Sequence, residues 1–257
     1  MKKDVILELA QRLRQAGISG EVVDPEAADG LSDLDEAYAV EGATRSLALG
    51  AGERLIGYKI GLTSQPARDA FDAKEPAVGH LLAGRQLEEG RPVPVAGLFQ
   101  PKVEVEIAFI LGEALPGPHV TAEDVRRATV AIAPAFEIVG SRWRGGARSL
   151  PMLVADNTNA AWISVGARTE ALPRDMGSTA ATLSVGERTI AGSGTAVMGD
   201  PAEAVAWLAG HLLRSGSRLE AGDVVMSGTL CPPTDIKAGD HLVAEVGGLG
   251  RIVLDVV

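Results

Sequence analysis

The chain has one cysteine, Cys231, in 257 residues, which excludes an intrachain disulfide framework and suits a reducing compartment. Basic residues are also short in number. Twenty-four Lys and Arg stand against 34 Asp and Glu, the net charge is −10, and no segment is dominated by Lys and Arg, which excludes nucleic acid as the main partner. No apolar run approaches the ~18 residues of a membrane span. The opening MKKDVILELAQRLRQAG is interrupted by Asp4, Glu8, Gln11 and Arg12 where a secretion signal would stay apolar. A cytoplasmic protein with no membrane partner is therefore expected. The sequence also lacks a G-x-G-x-x-G after an early strand, a phosphate loop with Gly-Lys-Ser or Gly-Lys-Thr, and any internal repeat. His80, His119, His211 and His241 show no metal-binding spacing and read as structural or surface residues; only His80 lies near a glycine-rich rim.

What the chain does have is 46% hydrophobic and 23% charged residues, the balance of a soluble globular protein able to bury a sizeable core. Residues 1–257 are expected to form one domain, with 1–50 a helical N-terminal covering segment. In 3–16, Val5, Ile6, Leu9, Ala10 and Leu13 share a helical face that Gly17 is expected to end, and a second helix is expected from about Asp33 to Leu49. Leu55 to Ile60 reads as a strand turning at Gly61, with Thr63 or Ser64 capping a short helix that carries Pro66 in its first turn. Thr121 and Asp124 resemble a capping box opening a helix through VRRATVAI, followed by the apolar strand APAFEIVGSR. GDPAEAVAWLAGHLLRSG is the clearest helix: Asp200 caps it, Pro201 sits at its first position, Glu203 at its third, and Gly216 stops it. Short strands separated by Ala-Gly-Asp or glycine turns close the chain, as in rolls and barrels.

In QPKVEVEIAF, residues 100–109, Val103, Val105, Ile107 and Phe109 alternate with Lys102, Glu104, Glu106 and Ala108. This is the period of a strand, and it places Glu104 and Glu106 on one face, roughly 7 Å apart at Cα. A solvated sheet face would explain them equally well. Glu137 adds a third carboxylate to an apolar strand, and three clustered carboxylates inside a sheet would repel one another and carry a heavy desolvation cost. A divalent cation resolves that conflict, and oxygen-only ligation favours Mg²⁺ or Mn²⁺ over Zn²⁺.

Lys59 lies in GYKIGLTS, where Ile56, Tyr58, Ile60 and Leu62 share one alternating face and Lys59 shares the other with Gly57 and Gly61, small residues that leave room for a ligand. A lysine there either snorkels to solvent or holds a proton near a developing oxyanion. ADNTNAAW, residues 155–162, brings Asp156, Asn157, Thr158 and Asn159 together, either to cap and turn the chain or to bind a carboxylate and orient water.

Taken in order, GYKIGLTS, PKVEVEIAFILG, APAFEIVGSR, VADNTNAAW, GDVVMSGTL and AGDHLVAEVGGLG resemble the 2-oxopent-4-enoate hydratase and 4-oxalocrotonate decarboxylase group of the fumarylacetoacetate hydrolase superfamily. The resemblance spans about residues 50–257. It implies an α+β fold, a fumarylacetoacetase C-terminal-like mixed β-roll with surrounding helices. It further implies Mg²⁺ or Mn²⁺ on Glu104, Glu106 and Glu137, with Lys59 at the reacting end of the substrate and Asp156, Asn157 and Asn159 as water-orienting groups. The group hydrates 2-hydroxy-2,4-dienoates to 4-hydroxy-2-oxo acids in the meta-cleavage breakdown of aromatic compounds. Sister enzymes decarboxylate 4-oxalocrotonate, and more distant ones hydrolyse acylpyruvates or decarboxylate oxaloacetate. Homo-oligomers are the rule, and hydratase and decarboxylase can associate. Two positions depart from the hydratase pattern: Ala77 stands where an acidic residue is usual, followed by Val78 in place of an aromatic, and Asn159 stands where serine is favoured. A hydratase is the expectation, with a 2-oxo acid decarboxylase as its alternative.

Overall fold

The computed structural model describes residues 1–88 and 90–257. In chain order the helices are α1 (Lys3–Ser19), α2 (Leu34–Gly50), α3 (Gln65–Asp69), α4 (Ala122–Ala128), α5 (Leu150–Ala155) and α6 (Pro201–Arg214). The strands are β1 (Leu55–Gly61), β2 (Ala77–Leu82), β3 (Gln86–Leu87), β4 (Phe99–Leu111), β5 (Thr129–Ser141), β6 (Ala160–Val165), β7 (Ala180–Val185), β8 (Arg188–Ser193), β9 (Val224–Met226), β10 (Thr234–Asp235), β11 (His241–Val246) and β12 (Gly250–Asp255). A curled sheet runs in the order β2-β1-β9-β4-β5-β6-β3, with β10 also paired to β4, and a four-stranded antiparallel sheet runs β12-β11-β7-β8. This is the mixed roll with surrounding helices expected from the sequence.

The long β4–β5 pair is the spine. From Val105 to Leu111 every residue of β4 is buried, so the strand is covered on both faces, unlike a half-solvated sheet. Val105, Ile107 and Phe109 join Phe136, Ile138, Leu183 and Leu208 in the main core between the sheets and α6. The opposite face of the curled sheet carries a smaller apolar set, Leu81, Ala108, Ala135, Ile163 and Met226. Helices α1 and α2 close a further cluster in which Leu9, Leu13 and Val40 meet Trp143, Met152 and Ala77. The Trp143 indole donates to the Met152 carbonyl at 2.9 Å, which satisfies its one polar atom inside that cluster. Among the described residues no helix is long and apolar enough to cross a membrane.

Local signals set most boundaries. Asp33 caps α2 by accepting from the Glu36 amide, and Asp200 caps α6 by accepting from the Ala202 amide. Of the two caps open for α3, Ser64 is used, accepting from Ala67 N. The box of Thr121 and Asp124 forms as expected. Three expectations need correction. Gly17 lies inside α1, which runs on until Gly20 adopts the left-handed conformation, φ 76°, that ends it. α4 stops at Ala128, because Thr129, Val130 and Ile132 are β-branched and pair in β5 instead of extending the helix. Gly57 and Gly61 do not leave room for a ligand, since the protein itself fills that space. A Cβ on Gly57 would sit 1.8 Å from the Val224 carbonyl, and one on Gly61 would sit 2.5 Å from Thr158 Cγ2.

Candidate active site

Register explains how the acidic cluster forms. Glu104 and Glu137 are directly paired across β4 and β5, and Glu106 lies two residues along β4 on the same face. Ligand oxygens of all three lie within 4.8 Å of one another. Glu106 and Glu137 have no solvent exposure, whereas Glu104 sits at the partly exposed edge. The reading of these residues as a solvated face is thereby excluded. Lys59 reaches the cluster from β1: it is in register with Met226 of β9, and Met226 is in register with Ala108 of β4.

The lysine is 2% exposed. Its ammonium lies 3.2 Å from Glu137 Oε2 and donates to the Thr158 carbonyl at 3.3 Å. Glu106 Oε2 accepts from the Gly228 amide at 2.8 Å, which leaves Oε1 free. Neither Glu137 oxygen receives a well-aligned hydrogen bond, since Lys59 is close but off-axis. Among the described residues, the buried side-chain polar atoms without a partner are Glu106 Oε1, both Glu137 oxygens, Asn159 Oδ1, Ser227 Oγ and Arg126 Nε. All but the last belong to this site or adjoin, in sequence, the groups that hydrogen-bond it. Native interiors tolerate few such atoms, and a hard cation bound by carboxylate oxygens would satisfy those of the glutamates. The residues therefore fit a divalent metal such as Mg²⁺.

Electrostatics agree. Burial pushes the Glu104 carboxyl up to about 7, with Lys59 opposing and Glu137 reinforcing the shift. Burial, then the charges of Glu137 and Glu104, raises Glu106 well above the carboxylate range, and burial also raises Glu137 against the pull of Lys59. For Lys59, burial alone would lower the pKa, but Glu137, Glu104 and Glu106 together outweigh it and hold the ammonium above its usual value. Without metal, the folded carboxyls thus keep protons that the unfolded chain releases. That contribution to stability is fully present below the ordinary value of 4.5 and is lost as pH rises through about 7 for Glu104. Mg²⁺ is consequently expected to raise the melting temperature of the chelator-stripped protein more at about pH 8 than at about pH 5. Melting curves with an equal or larger shift at the lower pH would contradict a carboxylate-held metal.

The segment between α5 and β6 supplies the lid on Lys59. Asn157, Thr158 and Asn159 have φ of 52°, 50° and 58°, three successive non-glycine residues in the left-handed region. Such a turn persists only if its surroundings over-determine it. Asp156 accepts from the Arg142 backbone at 2.8 Å and from Ser141 Oγ at 3.1 Å, and forms a close ion pair with the Arg142 side chain. Arg142 also donates to the Ala160 carbonyl at 2.7 Å. Asn157 imitates a strand: its Oδ1 accepts from His80 N at 2.7 Å and its Nδ2 donates to His80 O at 3.0 Å. Thr158 Oγ1 donates to the Val78 carbonyl at 3.0 Å. His80 is buried and its Nδ1 meets Glu41 Oε1 at 2.5 Å, while Tyr38 Oη accepts from Val78 N at 3.2 Å.

Of the sequence-predicted residues, Glu104, Glu106, Glu137 and Lys59 converge on one point. Asp156 and Asn157 are in the adjoining turn with their hydrogen bonds committed to Arg142 and His80. Asn159 keeps a buried, unpartnered Oδ1. The sequence does not single out Arg142 or Gly228, and it offers Thr158 for its polar side chain, not for the carbonyl that accepts from Lys59. Arg142 carried a signal, because an arginine at the end of the apolar run APAFEIVGS needs a buried carboxylate, and Asp156 is the nearby candidate. The Thr158 and Gly228 contributions come from the backbone, which side-chain identity does not reveal. Ala77 is 2% exposed and packs in the apolar cluster under α1 and α2, so the departure at this position puts a methyl group among hydrophobic neighbours.

The chain resembles known proteins along most of its length. A "2-keto-4-pentenoate hydratase" of Burkholderia vietnamiensis is 38% identical, covering 96% of this chain and 95% of the relative. A "2-hydroxyhexa-2,4-dienoate hydratase" of Comamonas testosteroni is 40% identical, covering 84% of each chain. Among solved structures, the 4-oxalocrotonate decarboxylase from Pseudomonas putida G7, complexed with magnesium and adipate, superposes with a TM-score of 0.95 at 25% identity, covering 100% of this chain and 99% of that one. Residues 66–257 match the family described as fumarylacetoacetate (FAA) hydrolase C-terminal. With its roll, its buried glutamate trio and its kinship to hydratases along nearly the full length, the chain belongs to the fumarylacetoacetate hydrolase C-terminal family.

Proposed function

We propose that the protein is a divalent-metal-dependent hydro-lyase that adds water to a 2-hydroxy-2,4-dienoate of the 2-keto-4-pentenoate type, giving a 4-hydroxy-2-oxo acid in the breakdown of aromatic compounds. The observation that carries this reading is the buried set of Glu104, Glu106, Glu137 and Lys59, with unpartnered glutamate oxygens, in a chain whose relatives bear hydratase names. Glu104, Glu106 and Glu137 would hold Mg²⁺ or Mn²⁺, which when bound would supply Lewis-acid stabilisation of negative charge developing on the substrate.

The chain's own groups do the rest. Lys59 holds its ammonium between Glu137 and the Thr158 carbonyl, where it can deliver a proton to the dienol carbon chain during ketonisation and stabilise negative charge. The Gly228 amide fixes Glu106 so that its free oxygen faces the cluster. Asn159 Oδ1 has spare capacity to accept from the water that adds to the far end of the enone. Asp156 and Asn157 act by holding the turn in place.

Decarboxylation of a 4-oxalocrotonate-type acid is the second reading. It is favoured by the close superposition on the P. putida enzyme and by Ala77, which leaves no carboxylate at that position to direct water. The two reactions share the enolate stage and divide afterwards. Incubating the Mg²⁺-loaded protein with 2-hydroxypenta-2,4-dienoate and with 4-oxalocrotonate in ¹⁸O-water is expected to give ¹⁸O-labelled 4-hydroxy-2-oxo acid from the first. Unlabelled product with stoichiometric CO₂ from the second alone would replace the hydratase reading with the decarboxylase one. Turnover of neither would direct the search to acylpyruvates.

The protein is further proposed to work as a homo-oligomer, able to pair with a sister enzyme of the same fold. This rests on the resemblance, in which homo-oligomers are the rule. Sedimentation is expected to give a multiple of the 26.6 kDa chain. A monomer at micromolar concentration would overturn this.

A further inference from the structure

The turn that holds Lys59 has a second face. Ala155, Asp156 and Asn157 form one wall of a half-open cavity of about 140 Å³, whose other walls come from α1, α2, β2 and β6 and from Glu53, Arg85, Leu98 and Arg142. Lys59 and the three glutamates do not line it. Its apolar lining includes Leu13, Leu81, Leu98 and Trp162, and its volume is close to the ~150 Å³ that accommodates a benzene ring.

The charges around it are unbalanced. Arg14, Arg85 and Arg142 all line the cavity, and only Arg142 has a carboxylate, Asp156. Arg85 lies 4.6 Å over the Trp162 ring and donates to the Gly17 carbonyl. Among the described residues no carboxylate is within ion-pair distance of Arg85 or Arg14. Glu53, the remaining acidic residue of the lining, is directed to the Gly84 amide at 3.3 Å. Burial and the neighbouring Arg142 charge hold the Arg85 pKa below the usual arginine value, and Glu53 offsets them only in part. Three guanidiniums against the two carboxylates Asp156 and Glu53 leave a surplus positive charge around one ring-sized, largely apolar cavity, which suits an anion with a flat apolar body.

We propose that this cavity is a second ligand site, which takes a small aromatic monocarboxylate with its ring against Trp162 and the leucines and its carboxylate on Arg85 and Arg14. A planar guanidinium is well matched to a carboxylate, and the ring replaces water along the apolar wall. The site is distinct from the metal centre and does not depend on the reaction assigned to it.

The test is calorimetric titration of the Mg²⁺-loaded protein with benzoate, with oxalate present at saturation to occupy the metal. One benzoate per chain is expected. Arg85→Met should weaken it by about tenfold, and Arg14→Gln, a change on the partly exposed side of α1 that leaves the fold intact, by about threefold. No saturable binding up to about 10 mM would overturn the proposal. So would displacement of benzoate by oxalate, or equal affinity in the wild type and both variants.

Discussion

Glu106→Gln is expected to lower kcat by roughly a hundred- to a thousandfold and to weaken Mg²⁺ binding, with a smaller change in the folded state than its complete burial suggests. The amide keeps nearly the same volume and can still accept from Gly228 through its oxygen. What it loses is one negative charge and the ability of both oxygens to face a cation. In the metal-free protein that loss is a relief, because Glu106 is the carboxylate most opposed by its neighbours, Glu137 and Glu104. The variant should therefore melt no lower than the wild type in chelator and clearly lower in Mg²⁺. Full activity of the variant, or of the wild type after exhaustive chelation, would remove the metal from the proposed mechanism.

Lys59→Met is expected to reduce kcat by roughly a hundred- to ten-thousandfold, the usual scale for deleting a positioned proton donor. Methionine approximates the buried lysine stem, so the packing against Gly79 and the turn survives. The informative sign concerns the metal. Lys59 is itself a cation 3.2 Å from Glu137, and removing it takes away the strongest positive charge acting on the three carboxylates, leaving the weaker pull of Lys102 on Glu104 and of Arg142 on Glu137. Mg²⁺ affinity should rise while turnover collapses. A protein that merely bound metal through these glutamates would show the first effect with no activity to lose. A Lys59→Met variant that turned over substrate normally would return the reading to such a binding protein.

The acidic cluster was legible because its elements are simple: a period of two puts Glu104 and Glu106 on one face, and an isolated Glu137 in a second apolar strand supplies the third carboxylate. The caps of α2, α3, α4 and α6 were legible because each needs only a side chain and an amide a few residues on. Hidden features depend on distant backbone. Nothing in GYKIGLTS tells that Val224 will lie against Gly57, or that a carbonyl 99 residues later will receive the Lys59 proton. The polar run DNTN announced a turn, but not that three of its residues would be left-handed or that Asp156 would face Arg142. TVAI, which follows α4 and opens β5, reads as helix in the sequence because the capping box gives a firm start and no glycine or proline gives a stop; strand pairing with β4 decides otherwise.

The three-residue strand β9 has a temporal meaning. It lies between β1 and β4, parallel to the first and antiparallel to the second, so the strand carrying Lys59 and the strand carrying Glu104 and Glu106 are joined only through Val224, Val225 and Met226. Until the ribosome has released that stretch, the nascent chain can zip β4 onto β5 but lacks the strand that hydrogen-bonds β1 to β4. Loop closure over more than 100 residues must precede this step, which places it among the slow events of folding. Lys59 is thus set into the sheet beside its glutamates by a segment near the C-terminus, and a chain interrupted before residue 224 would lack the strand that hydrogen-bonds β1 to β4.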